Sequence, residues 1–85
     1  MIHKFESDQE ECLVILMEEC GELIQECCKM IRKNNYNSSE FTKEVGDVIA
    51  MLQLAHQYNL YDETEAIHQA SAKLNKLKKW SNLVK

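Results

Sequence analysis

Residues 7–33 read SDQEECLVILMEECGELIQECCKMIRK, and the fold follows from how the apolar side chains are spaced in that stretch. Leu13, Leu16, Met17, Cys20, Leu23, Ile24, Cys27 and Ile31 recur at three- and four-residue intervals, the spacing of one face of an α-helix. Ser7 stands where an N-cap is needed, and Glu10 follows three residues later in the pattern of a capping box. There is no proline in the chain, and both glycines fall inside periodic segments, so nothing interrupts a long first helix. Lys33 to Ser38 is a polar connection rich in turn formers. A second helix is predicted from Ser38 or Ser39, carrying Phe41, Val45, Val48, Ile49, Leu52 and Ala55 on one side. Asn59 to Asp62 predicts a turn, and Asp62 with Glu65 repeats the capping pattern ahead of a third helix bearing Ala66, Ile67, Ala70, Leu74 and Leu77.

The reading is all-α, a bundle of three main helices in a single domain spanning 1–85. At 85 residues the chain's own core is marginal. The broad apolar stripes therefore predict a four-helix-bundle-like core completed by homo-oligomerisation, as a homodimer or homotetramer. Cys12, Cys20, Cys27 and Cys28 all lie in the first predicted helix. They include no CxxC pair, which argues against a structural zinc site. Cys20 and Cys27 share a face with leucines and are expected to pack as small buried hydrophobes in a reducing compartment.

No apolar run approaches the roughly 20 residues that span a bilayer. The opening Met1-Ile2-His3-Lys4-Phe5-Glu6 has no signal-peptide core. The expectation is a cytoplasmic protein with no membrane partner. Net charge is −4, which argues against nucleic acid as a partner. The charge is uneven, with glutamates in the first half and Lys73, Lys76, Lys78, Lys79 and Lys85 toward the end. That split suits a site where cations meet a polyanionic ligand.

Chemistry concentrates in Glu18-Glu19-Cys20-Gly21-Glu22 on the first helix and Glu44-Val45-Gly46-Asp47 on the second. Side chains three apart on a helix share a face, so Glu19 pairs with Glu22 and Glu44 with Asp47. Helical projection sets Glu19 beside Leu16, Leu23 and Met30, and sets Glu44 and Asp47 beside Val48 and Met51. Both pairs thus lie at the margin where helix meets helix. Four carboxylates gathered there repel one another unless a hard divalent cation sits among them. Oxygen-only ligands point to Mg²⁺, or Mn²⁺, over zinc. Gly21 and Gly46 lie inside the two acidic motifs. Each costs roughly 1 kcal/mol of helix stability relative to alanine, and each would let a facing helix or a ligand approach closely.

Glu18-Glu19-x-x-Glu22 followed by Glu44-x-x-Asp47 resembles the signature of MazG-like all-α nucleoside triphosphate pyrophosphohydrolases. The flanking segments Glu-Glu-Cys-Gly-Glu-Leu and Glu-Val-Gly-Asp-Val-Ile-Ala-Met-Leu-Gln-Leu-Ala also read like family segments, and the resemblance covers roughly residues 10 to 80. It implies a homo-oligomeric helical bundle that hydrolyses a nucleoside triphosphate to monophosphate and pyrophosphate. By position, Glu19, Glu22, Glu44 and Asp47 would be metal ligands, and Glu18, Glu19 and Glu22 the catalytic carboxylates, with Glu18 orienting a ligand or helping to activate water. Lys43 stands where relatives carry another acid. The family's third helix brings a lysine and an arginine to the phosphates; here Lys73 and Lys76 are the candidates, with Trp80 as a base platform, and Arg32 is the chain's only arginine.

Two other readings compete. Glu65 and His68 have the Glu-x-x-His spacing that ligates di-iron centres in ferritin-like bundles, but in a single copy. A helical oligomerisation or regulatory module would explain the stripes and leave the inward-leaning acids without a purpose.

Overall fold

In the computed structural model, which describes residues 4–84, the chain forms α1 (Asp8–Lys33), α2 (Ser39–Gln57) and α3 (Glu63–Leu77). Among the described residues there is no strand, and no helix is long and apolar enough to cross a membrane. Met1, Ile2, His3 and Lys85, which entered the sequence reading, lie outside the described residues.

Each helix begins at the residue whose side chain can cap it. The Ser7 hydroxyl accepts the Glu10 N–H at 3.0 Å, the Ser38 hydroxyl accepts the Phe41 N–H at 3.1 Å, and the Asp62 carboxylate accepts the Glu65 N–H at 2.9 Å. At α1 the reciprocal bond of the capping box is displaced by one residue. The Glu10 carboxylate accepts the N–H of Glu6, ahead of the cap, at 2.7 Å. An asparagine in the left-handed region caps α1, Asn34 at φ 51°, and another, Asn59 at φ 61°, follows the Tyr58 cap of α2. Asparagine tolerates that conformation better than most residues. Behind each of them the chain closes back, Asn35 N–H to Met30 O and Leu60 N–H to Ala55 O.

α1 and α2 form an antiparallel hairpin. The Gln9 side-chain amide donates to the Tyr58 carbonyl at 2.9 Å, tying the start of α1 to the end of α2. Between them the core is small. Cys12, Met51 and Ala55 are buried, with Ile15, Leu16, Leu60 and Tyr61 packed against them, and the Cys12 thiol lies 4.0 Å from the Met51 carbonyl. α3 has little contact with either helix and buries no residue.

One expectation is corrected here. Cys12, and not Cys20 or Cys27, is the buried cysteine; Cys20 is exposed and Cys27 only half-buried. The reason is that α1 carries a wide apolar surface, and α2 covers only one flank of it. Leu13, Met17, Ile24 and Ile31 on the other flank are 44%, 69%, 63% and 68% exposed. The molecule is correspondingly extended. Its radius of gyration is 15.8 Å, against about 12 Å for a compact domain of this length.

Candidate metal centre

The α1–α2 seam changes character along its length. Cys12 and Met51 close its apolar end. Two turns further along α1 the same face presents Glu19, and two turns back along α2 it presents Glu44, because a seven-residue step nearly restores the direction of a side chain. A helix–helix interface that begins as thiol and thioether therefore continues as carboxylate.

Glu19, Glu44 and Asp47 each offer one carboxylate oxygen, and the three oxygens lie within 4.8 Å of one another. Glu19 and Glu44 are partly buried, and Asp47 is exposed at the rim. One oxygen of Glu19 and one of Glu44 are shut off from solvent and meet no hydrogen-bond donor. An unmatched buried carboxylate oxygen is costly, since it has given up water and received nothing in exchange. Three converging carboxylate oxygens are a donor set that suits a hard divalent cation.

The electrostatics agree with the geometry. The Glu19 carboxyl is held above its ordinary pKa, first by burial, then by the negative charges of Glu22, Asp47 and Glu18, and by a side-chain hydrogen bond with Asp47 that only a protonated group can make. Glu44 is raised likewise, by burial first, then by Glu22, by a hydrogen bond with Glu22, and by Asp47 and Glu19. Every contribution raises; no lysine or arginine offsets them. The lysines nearest in sequence are engaged elsewhere, Lys29 with Glu26 at 3.1 Å and Lys43 with Glu40 at 3.5 Å.

A pH dependence follows, with a definite sign. Both carboxyls hold their proton more tightly in the folded chain than in the unfolded one. Their contribution to stability is therefore complete below pH 4.5, the ordinary glutamate value, and is lost as pH rises through the folded-state value. In metal-free protein, the melting temperature of wild type relative to Glu19→Gln should fall on going from pH 4.5 toward neutrality. A difference that stays flat or rises would contradict the shared, uncompensated charge.

The predicted ligands thus separate into a core and an edge. Glu19, Glu44 and Asp47 converge. Glu22 lies outside the group of three, exposed, yet close enough to Glu44 to be the largest charge acting on it. Glu18 is exposed beside Glu19. Lys73 and Lys76 sit on α3, and among the described residues no hydrogen bond or ion pair joins them to the acids. Trp80, the candidate base platform, lies beyond the end of α3 in a turn closed by Trp80 N–H and Ser81 N–H to Leu77 O, and is 73% exposed. Glu65 and His68 are exposed on α3 and take no part in the cluster.

The glycines of the two acidic motifs relieve no crowding within this chain. A Cβ added at Gly21 or Gly46 would meet no atom within 4 Å. Gly46→Ala should accordingly stabilise the metal-free chain, by roughly 1 kcal/mol from helix propensity, measurable as a higher denaturation midpoint in urea. A loss of stability would mean that the position is packed in the native protein.

Comparison with protein-family models, with curated proteins and with solved structures finds no match to the chain.

Proposed function

We propose that the chain is a homo-oligomeric, Mg²⁺-dependent nucleoside triphosphate pyrophosphohydrolase of the MazG-like kind, cutting the α–β phosphoanhydride to give nucleoside monophosphate and pyrophosphate. The observation that carries this reading is the meeting of Glu19, Glu44 and Asp47 across α1 and α2 with two buried oxygens lacking any donor. When bound, Mg²⁺ (or Mn²⁺) would neutralise phosphate charge and lower the pKa of an attacking water. Glu19, Glu44 and Asp47 would hold the cation. Glu22, charge-coupled to Glu44, completes the acidic set at the mouth of the site. Glu18, exposed next to Glu19, would accept a proton from water. The phosphates would draw on cations from α3, Lys73 and Lys76 first, as α1 and α2 leave the acids without a basic neighbour.

An association module without catalysis accounts for the exposed apolar flank of α1 but gives the orphaned oxygens no role. The test is to incubate purified protein with a panel of ribo- and deoxyribonucleoside triphosphates and Mg²⁺. The expected products are pyrophosphate and a monophosphate from at least one member. Orthophosphate release would assign a different bond, and inertness toward the whole panel would leave the association module standing.

A further inference from the structure

Two rows of side chains run along one side of the α1–α2 seam. On α1 they are Asp8, Cys12, Ile15, Glu19 and Glu22, and on α2 Tyr58, Leu54, Met51, Asp47 and Glu44. Both rows step by four and three residues in alternation, which keeps a row on one line of a helix. One end of the furrow between them holds the convergent carboxylates. The other end is a slot lined by Cys12, Ile15, Met51 and Leu54, by Tyr58, and by the exposed Asp8 and Glu11. Ile15 precedes Glu19 by four residues, and Asp47 precedes Met51 by four. The slot therefore begins one helical turn, about 6 Å, from the acids. The larger apolar groove of Leu13, Leu16 and Leu52 lies across the seam, on the side that helical projection turns away from Glu22 and Asp47.

The slot suits a small, flat group that brings hydrogen-bond donors. Its volume is about 150 Å³, half or less of the ~300 Å³ at which sites for drug-sized molecules begin. That is room for one ring and not for two. Its lining is apolar apart from three groups. An ionised Asp8 or Glu11 can only accept hydrogen bonds, and the Tyr58 hydroxyl can accept or donate. Among the described residues neither carboxylate has an ion-pair or hydrogen-bond partner. Their place in the first turn of α1 suits the helix dipole and leaves their oxygens free. Gln9, the amide next in sequence to Asp8, donates instead to the Tyr58 carbonyl at 2.9 Å.

We propose that this slot takes the base of the nucleotide and selects a single ring with an exocyclic amino group, cytosine over uracil. The N4 amino group of cytosine donates to a carboxylate, whereas uracil presents a carbonyl oxygen at the same place, acceptor against acceptor. The ring packs on Ile15, Leu54 and Tyr58. The sugar then spans the turn that separates the slot from phosphates at Glu19, Glu44 and Asp47. The triphosphate rests on the pyrophosphohydrolase reading above, and the choice of base rests on the slot alone.

The test compares CTP with UTP, which differ at that position. In Mg²⁺, kcat/KM should favour CTP by about 10–100-fold, the worth of a hydrogen bond to a charged group. The difference should lie in KM, because the contact is equal in ground and transition states. In the double variant Asp8→Asn, Glu11→Gln the preference should fall close to unity while kcat for CTP holds, since amides donate as well as accept. Melting-temperature titrations with cytidine and uridine 5′-monophosphates in Mg²⁺ read the slot without hydrolysis, and the cytidine compound should give the larger rise. Equal kcat/KM for CTP and UTP, or a preference that survives in the double variant, overturns the inference and leaves the pyrophosphohydrolase reading in place. Failure to hydrolyse any triphosphate, with cytidine monophosphate still bound preferentially, sinks that reading and supports the slot. Equal shifts from the two monophosphates overturn the slot whatever the hydrolysis shows.

Discussion

Glu44→Gln is expected to lower the rate of pyrophosphate release by about 10²–10³-fold and, in the same preparation, to raise the melting temperature of metal-free protein. The first effect comes from removing one of the three charged ligands proposed for the metal. Charge stabilisation by a bound metal contributes several kcal/mol to the transition state, and each 1.36 kcal/mol is tenfold in rate. The second effect comes from the environment that Glu44 now occupies. Its buried oxygen has no donor, and Glu22, Asp47 and Glu19 all press negative charge upon it. Glutamine keeps the shape, cancels the repulsion, and can donate to Glu22. The two signs together are diagnostic, because a residue held for stability would lose both at once. Glu40→Gln is the matching control. Glu40 is exposed and outside the group of three, and its ion pair with Lys43 at 3.5 Å is of the surface kind, which contributes ~0–1 kcal/mol. A Glu44→Gln enzyme with unaltered rate would remove the metal centre from the proposal.

Magnesium itself should move the melting temperature strongly. A ligand that binds only the folded state stabilises it by about 2.7 kcal/mol at a hundred times its dissociation constant. For a domain of this size that corresponds to a rise of roughly 10–20 °C. The expected record is a melting temperature that climbs with millimolar Mg²⁺, returns on addition of EDTA, and barely responds in Glu19→Gln. Monovalent salt at matched ionic strength separates site binding from screening, which would relieve exposed like charges as well. Indifference to Mg²⁺ and to Mn²⁺ would be decisive against the site. An equal response from Glu19→Gln would place the ion elsewhere.

The two predictions rest on features that were legible in the sequence to different degrees. Ser7, Ser38 and Asp62 announced the helix starts because a cap is a local event, written in one side chain and the N–H three residues on. The pairing of Glu19 with the Glu44–Asp47 side of α2 was legible because three- and seven-residue steps fix direction on a helix, and the apolar neighbours fixed which direction was inward. That Cys20 and Cys27 stay out of the core was not legible. Periodicity records that a face is apolar and is silent on whether the same chain supplies its cover; here α2 covers the Cys12 flank and leaves the other. The position of Trp80 was equally beyond reach, since it depends on α3 stopping at Leu77 with no glycine or proline to mark the end. How close Glu22 comes to the three convergent acids depends on the rotation of α1 against α2, a tertiary quantity that spacing alone does not contain.

The isolation of α3 has a consequence for how the sequence can change. Among the described residues, every carboxylate of the cluster and every buried side chain belongs to α1 or α2. Substitutions between Glu63 and Leu77 are therefore felt by one short helix and hardly by the remainder of the molecule. Selection can rework that segment, Lys73 and Lys76 apart, while the acidic hairpin stays as it is. Divergence among descendants of this chain should accumulate unevenly, slowly in the first two helices and faster in the third outside Lys73 and Lys76.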